Sequence, residues 1–270
     1  MLFRDLRRRY AEQSLRYSYP VQRKVRRHRG RYSGNGFLPE ALLTFQARLW
    51  DIKFDKIGSI FKNTNTGEYE VGPIPSLGGP YSTATEYYRA WARHNKSRPS
   101  ATSNFPWQIE KVAESISKHD DGPFHLIHPD FGHHNVIVDD EFNISFVIDW
   151  EHAFVGPAEM AARFPVRNQI YPEVIFALEK DATGRIIHDG WRACVESREQ
   201  YVKAIIAEED QRYIFPRMSA EMLGIRSDIV YLIRAWEERK PWLTNYKGRI
   251  EDGVKAIVTA LREEHSRRKI

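Results

Sequence analysis

The stretch His128-Pro129-Asp130-Phe131-Gly132-His133-His134-Asn135, followed by Val147-Ile148-Asp149-Trp150-Glu151, decides how this chain is read. It places an aspartate, an asparagine five residues on, and a second aspartate at the end of an apolar strand. The hydrophobic pattern changes period here. Phe124 to Ile127 is strand-like, and His128 to Asn135 is a loop. Val136-Ile137-Val138 and Ile144 to Ile148 are two further strands, joined by the turn Asp139 to Asn143. The polar residues of interest therefore lie on loops beside short strands.

Working outward, the flanks are mostly helical. Pro39 suits the first turn of a helix carrying Leu42, Leu43, Phe45, Ala47, Leu49 and Trp50. Lys56 to Phe61 reads as a strand, Asn63 to Gly67 as a polar turn, and Tyr69 and Val71 begin a returning strand. Thr83 with Glu86 three residues later is a capping-box signature, and the helix it starts carries Tyr87, Tyr88, Ala90 and Trp91. His94 to Asn104 is loop-like. Pro106 opens a helix with Ile109, Val112, Ala113 and Ile116 at helical spacing. Beyond Pro157 helices are expected around 159–163, 173–179, 191–207, 220–236 and 250–264.

Composition sets the outer bounds. A chain of 270 residues, with 14 Phe and 7 Trp, can bury a sizeable core. The apolar runs are too short to span a bilayer. A single cysteine, Cys194, excludes an internal disulfide and a multi-cysteine zinc site, and it reads as a buried, inert thiol. The charge of +5 is unevenly placed. Residues 1–33 hold eleven basic side chains against Asp5 and Glu12, a net +9, so the remainder carries −4. This arm reads as a solvated, disordered extension. An Arg-rich transit segment and an anionic-surface patch are the competing readings.

Alone, each polar residue has an ordinary explanation. Asp130 after Pro129 suits a turn, Asn135 an Asx-turn, and Asp149 a cap. Together they suit phosphoryl transfer. Asp130 can accept or orient the proton of an attacking hydroxyl, while the Asn135 amide oxygen and the Asp149 carboxylate can hold Mg²⁺ against a polyphosphate. His128 reads as an organiser of the loop. Asp130, Asp149, Glu151 and Glu159 form an acidic set that suits a cationic ligand. His125, His128, His133, His134 and His152 crowd the same region, but their spacing fits no zinc or iron motif.

This region resembles the aminoglycoside phosphotransferase and choline-kinase-like family, which shares the protein-kinase fold. Leu126 to Asp139 is similar to that family's catalytic loop and following strand, and Val147-Ile148-Asp149-Trp150-Glu151 to its metal-binding segment. Ile57 to Phe61, Val71-Gly72-Pro73 and Glu86-Tyr87-Tyr88 resemble the entry to the C-terminal lobe in one branch. The likeness runs from Leu42 to Arg163 with a compatible helical tail. It implies an α+β, mainly helical fold: the C-terminal lobe of a protein-kinase-like fold, with short β-hairpins carrying the catalytic and metal loops. It implies Asp130 as catalytic base, supported by His128 in the catalytic loop, with Asn135 and Asp149 as Mg²⁺ ligands. ATP is the implied co-substrate and the hydroxyl of a small molecule the implied acceptor, a cationic acceptor being one option.

Complete members of that family also carry an N-terminal lobe with a nucleotide-covering loop and a phosphate-pairing strand lysine. Here Gly34-Asn35-Gly36 lacks a third glycine at the required spacing, and Lys53 and Lys56 fall at the entry to the C-terminal lobe. The expected organisation is a basic arm over 1–33 and a kinase-like C-terminal lobe over 34–270, with the N-terminal lobe missing. ATP turnover is expected to be impaired, and a non-catalytic binding module for a cationic small molecule or partner is the alternative. Membrane partners are not expected, and nucleic acid only through the arm. The cytoplasm is the expected compartment, with the mitochondrion as the alternative that the Arg-rich start suggests.

Overall fold

A computed structural model describes residues 38–97, 104–139, 144–165, 180–212, 214, 217–238 and 247–268. The basic arm, the turn near Gly34, the tip of the turn after Asp139 and the helix expected at 173–179 lie outside these residues. In chain order the elements are helix α1 (Leu38–Trp50), strands β1 (Lys53–Phe54), β2 (Gly58–Lys62) and β3 (Tyr69–Gly72), and helices α2 (Ala84–Asn95) and α3 (Phe105–Ile116). Then come β4 (Phe124–Ile127), a 3₁₀ turn (His133–Asn135), β5 (Val136–Val138), β6 (Ile144–Val147) and β7 (Phe154–Gly156). Helices α4 (Ala158–Ala161), α5 (Asp189–Arg212), α6 (Ser219–Met222), α7 (Ile225–Glu237) and α8 (Lys247–Arg268) follow. The architecture is α+β and mainly helical, consistent with part of a kinase-like fold.

Local sequence explains the strongest elements. Glu86 N–H donates to Thr83 Oγ1 at 3.0 Å, and the Glu86 carboxylate accepts from Ser82 N–H at 2.9 Å and Thr83 N–H at 3.3 Å. The capping box read from the sequence therefore starts α2 and satisfies donors that the helix cannot satisfy itself. In α3, Ile109, Val112, Ala113 and Ile116 are all buried, as their 3.6-residue spacing requires. These residues pack with Tyr88 and Trp91 of α2, Phe124 and Ile127 of β4, and Ile229 and Ile233 of α7 in one large core. A second core joins Leu43, Ala47 and Trp50 of α1 to Tyr201, Val202 and Ile205 of α5. The helix expected over 220–236 is two, because Gly224 takes a left-handed φ of 97° between α6 and α7. Cys194 lies on α5 as expected but is half-buried rather than buried.

The sheet holds the main departure from the sequence reading. Its five strands run in the order β1-β4-β7-β2-β3, all neighbours antiparallel. Neither β1 nor β7 is foreseen in the sequence, and β7 is the central strand. It pairs with β4 through Leu126↔Val155 and Ile127↔Phe154, and with β2 through Gly58↔Val155. At three residues it is too short for a period-2 pattern to register. A Cβ at Gly156 would lie 2.5 Å from Ile127 Cδ1, so glycine leaves room there for the Ile127 side chain. β5 and β6 form a separate two-stranded hairpin. Ile127 ends β4 and Phe154 begins β7, and these two residues are paired. The chain leaves for the His128–Asn135 loop, and returns from the Asp149–Ala153 turn, at one end of the sheet.

Candidate active site

His128 is the hinge between the two loops. Its Nδ1 accepts the Asp130 backbone N–H at 3.2 Å, and its Nε2 lies 2.9 Å from the Ile148 carbonyl. An amide can only donate and a carbonyl only accept. The pair therefore selects the neutral ring with hydrogen on Nε2. Burial lowers the His128 pKa, opposed by the Ile148 carbonyl and by the negative charges of Asp130 and Asp149. Trp150 packs edge-on against that ring at 4.7 Å and donates its indole N–H to the Val147 carbonyl, so it braces the turn.

Asn135 is joined to Asp130 directly. Its side-chain amide donates to the Asp130 carbonyl at 2.9 Å and to Asp130 Oδ2 at 3.2 Å. Its backbone carbonyl accepts the Ile148 N–H at 2.9 Å, which ties the start of β5 to the residue before Asp149. The amide nitrogen is turned to Asp130, so the amide oxygen is directed away from it. Asp149 itself sits at φ 68°, a left-handed conformation that L-residues seldom adopt and that Asp tolerates better than most. The backbone is held there by the Ile148 hydrogen bonds on one side and by β7 on the other.

The structure adds two residues to the Asp130 carboxylate. His134 brings Nε2 to 2.8 Å of Oδ2, and Arg234 of α7 brings Nη2 to 4.0 Å of Oδ1. Burial pushes the Asp130 pKa up. The bond and charge of His134, the charge of Arg234 and the Asn135 amide outweigh it and hold the carboxyl below its ordinary value. His134 is four residues beyond Asp130, and the sequence alone presents it as one of a crowd of histidines. Arg234 is over a hundred residues away and carries no local signal.

His125, His128 and His134 of that histidine group are engaged in separate contacts. His125 is fully buried, stacks on Trp50 at 3.9 Å and bonds the Trp50 carbonyl at 2.8 Å through Nδ1. His128 and His134 are engaged as described. Among the described residues no group of three or more His, Cys, Asp or Glu side chains is placed to hold a metal ion. The acidic set also shrinks. Glu159, 1% exposed, lies beneath the sheet, where it accepts from Tyr88 OH at 2.6 Å and Ser117 OH at 3.1 Å. Glu151 is exposed in the turn after Asp149.

The donor chemistry left at the site is one amide oxygen and carboxylate oxygens. Hard oxygen donors of that kind fit Mg²⁺, which needs few protein ligands when phosphates and water complete its shell. A family model described as the phosphotransferase enzyme family (APH) matches residues 69–160, about a third of the chain. The matched segment is phosphotransferase-like. It runs from β3 into α4 and contains His128, Asp130, Asn135 and Asp149. No curated protein and no solved structure matches this chain. Among the described residues no helix is long and apolar enough to cross a membrane.

Proposed function

We propose that the chain is the C-terminal lobe of a kinase-like phosphotransferase and serves transfer of the γ-phosphoryl group of ATP to a hydroxyl of a small molecule. The observation that carries this reading is the pair of hydrogen bonds made by His128, from the Asp130 amide and to the Ile148 carbonyl, which holds the Asp130 and Asp149 loops together. Asp130 is the base. Its Oδ2 is occupied by His134 and Asn135, so Oδ1 is the atom that would orient the acceptor hydroxyl and take its proton. The hydroxyl oxygen bonds to the γ-phosphorus, the bond from that phosphorus to the bridging oxygen breaks, and ADP leaves. Asn135 and Asp149 would hold Mg²⁺, which neutralises charge on the phosphates when bound. His128 is a positioning residue in this scheme, with its neutral ring keeping the two loops in register.

The test is single-turnover transfer from radiolabelled ATP to a panel of small hydroxyl compounds, a format in which slow transfer is still measurable. Mg²⁺-dependent transfer is the expected result. Asp130→Asn should lower the rate by about 10²–10⁴-fold without changing the fold. Transfer that is indifferent to Asp130→Asn would overturn the assignment of the base. Ligand binding at the cleft with no transfer under any condition would favour the second reading, a binding module.

A further inference from the structure

A small pocket opens beside the Asp130 loop. Gln46, His128, Pro129, Phe131, Arg163 and Arg234 are among the residues that line it. Arg234 approaches Asp130 Oδ1 at 4.0 Å and gives its Nε to Glu238. Arg163 follows α4 and donates Nε to the Met160 carbonyl at 2.6 Å. Its two terminal nitrogens have no hydrogen-bond partner, and no carboxylate lies within 4.0 Å of it, among the described residues. Glu237 acts on Arg163 through its charge but makes no ion pair with it, and its carboxylate accepts the Trp91 indole N–H at 2.6 Å. Burial, then the like charge of Arg234, lowers the Arg163 pKa to about 10, against the opposing pull of Tyr231, Glu237 and Tyr87. At neutral pH Arg163 is still a cation. Two guanidinium groups of like charge therefore line one pocket, and one of them has donors to spare.

We propose that this pocket binds an oxyanion, the carboxylate or phosphate group of a small molecule. A guanidinium fork matches such a group in shape and charge, and an anion between the two arginines relieves their repulsion. Pro129 and Phe131 give the ligand's carbon skeleton an apolar wall. A cationic ligand would meet the same arginines as like charges. If the phosphotransferase reading holds, the anion anchors the acceptor and sets its hydroxyl beside Asp130. That second step rests on the reading above, whereas the binding itself does not.

The experiment is calorimetric titration of the full chain with inorganic phosphate and with succinate. EDTA is present to remove divalent metal, and ionic strength is matched with sodium chloride. Saturable binding of at least one anion is expected, weakened at least tenfold in both Arg163→Gln and Arg234→Gln and partly kept in Arg163→Lys. Which of the two probes binds identifies the anion class. If Arg163→Gln does not fold, Arg234→Gln carries the comparison. No saturable binding of either anion, or equal binding by wild type and the Gln variants, overturns the proposal. Anion binding without any Asp130-dependent transfer would leave the pocket standing and sink the phosphotransferase reading, and the reverse result would sink the pocket alone.

Discussion

The helical body around α2 and α3 and the hairpin around β5 and β6 are held by different forces. The body is a large apolar core, where Ile57, Tyr88, Ile109, Ile116, Phe124 and Val155 are fully buried. The hairpin has only a small apolar cluster. Leu42, Phe131 and Val136 are its buried members, with Phe45 stacked on Phe131 at 5.8 Å. What fixes the hairpin's loops is a chain of polar contacts running from Asp130 through His128 and Asn135 to Ile148. The contrast separates the work of the two regions. The body supplies a rigid sheet end, and the hairpin supplies oriented oxygen atoms on a frame that contributes little to global stability.

The largest expected effect tests the body. Ile109→Ala should lower the unfolding free energy by about 2–5 kcal/mol, seen as a lower urea midpoint. The residual activity of the folded fraction should be unchanged, and a loss of activity without a loss of stability would blur the division. Next comes the buried carboxyl under the sheet. Burial raises the Glu159 pKa to about 7, with the nearby Glu221 adding to it and the Tyr88 and Ser117 bonds opposing. The folded state therefore binds a proton that the unfolded chain has released, and stability falls as pH rises from the ordinary glutamate range to about 7. The drop is roughly 3 kcal/mol at about 1.4 kcal/mol per pKa unit. Glu159→Gln should remove that slope from denaturation curves taken between pH 5 and 8, on the order of the range in which this group titrates.

A smaller stability effect with a larger functional one is expected in the hairpin. His128→Phe keeps the ring's packing but strands the Asp130 N–H and the Ile148 carbonyl, at a cost of about 1–3 kcal/mol. Transfer should fall at least tenfold, on the order of one misaligned catalytic contact, although Asp130, Asn135 and Asp149 are all intact. Unchanged transfer would show that the polar chain does not set the geometry.

Much of the body was legible in the sequence because its signals are local. Thr83 with Glu86 and the spacing of Ile109, Val112 and Ile116 need no tertiary information, and α2 and α3 appear where they should. The identities Asp130, Asn135 and Asp149 were legible as a motif whose family resemblance implies convergence, but the structural basis of their proximity was not. It depends on β7, whose pairing of Phe154 with Ile127 brings the two loops to one sheet end. That strand is encoded by packing against β2 and β4, not by its own pattern. Arg234 shows the same limit, since helix α7 reaches the Asp130 loop only after the body has folded. Glu159 shows the converse. Its charge was legible and its burial was not, because the partners that accept it, Tyr88 and Ser117, come from other elements.

The central claim is that Asn135 and Asp149 share a metal beside Asp130. Electron paramagnetic resonance titration with Mn²⁺ as the probe, with and without a non-hydrolysable ATP analogue, tests it most directly. A site that tightens with nucleotide, is lost in both Asn135→Ala and Asp149→Asn and survives Glu151→Gln is the predicted result. Mn²⁺ binding that is indifferent to both substitutions would contradict it.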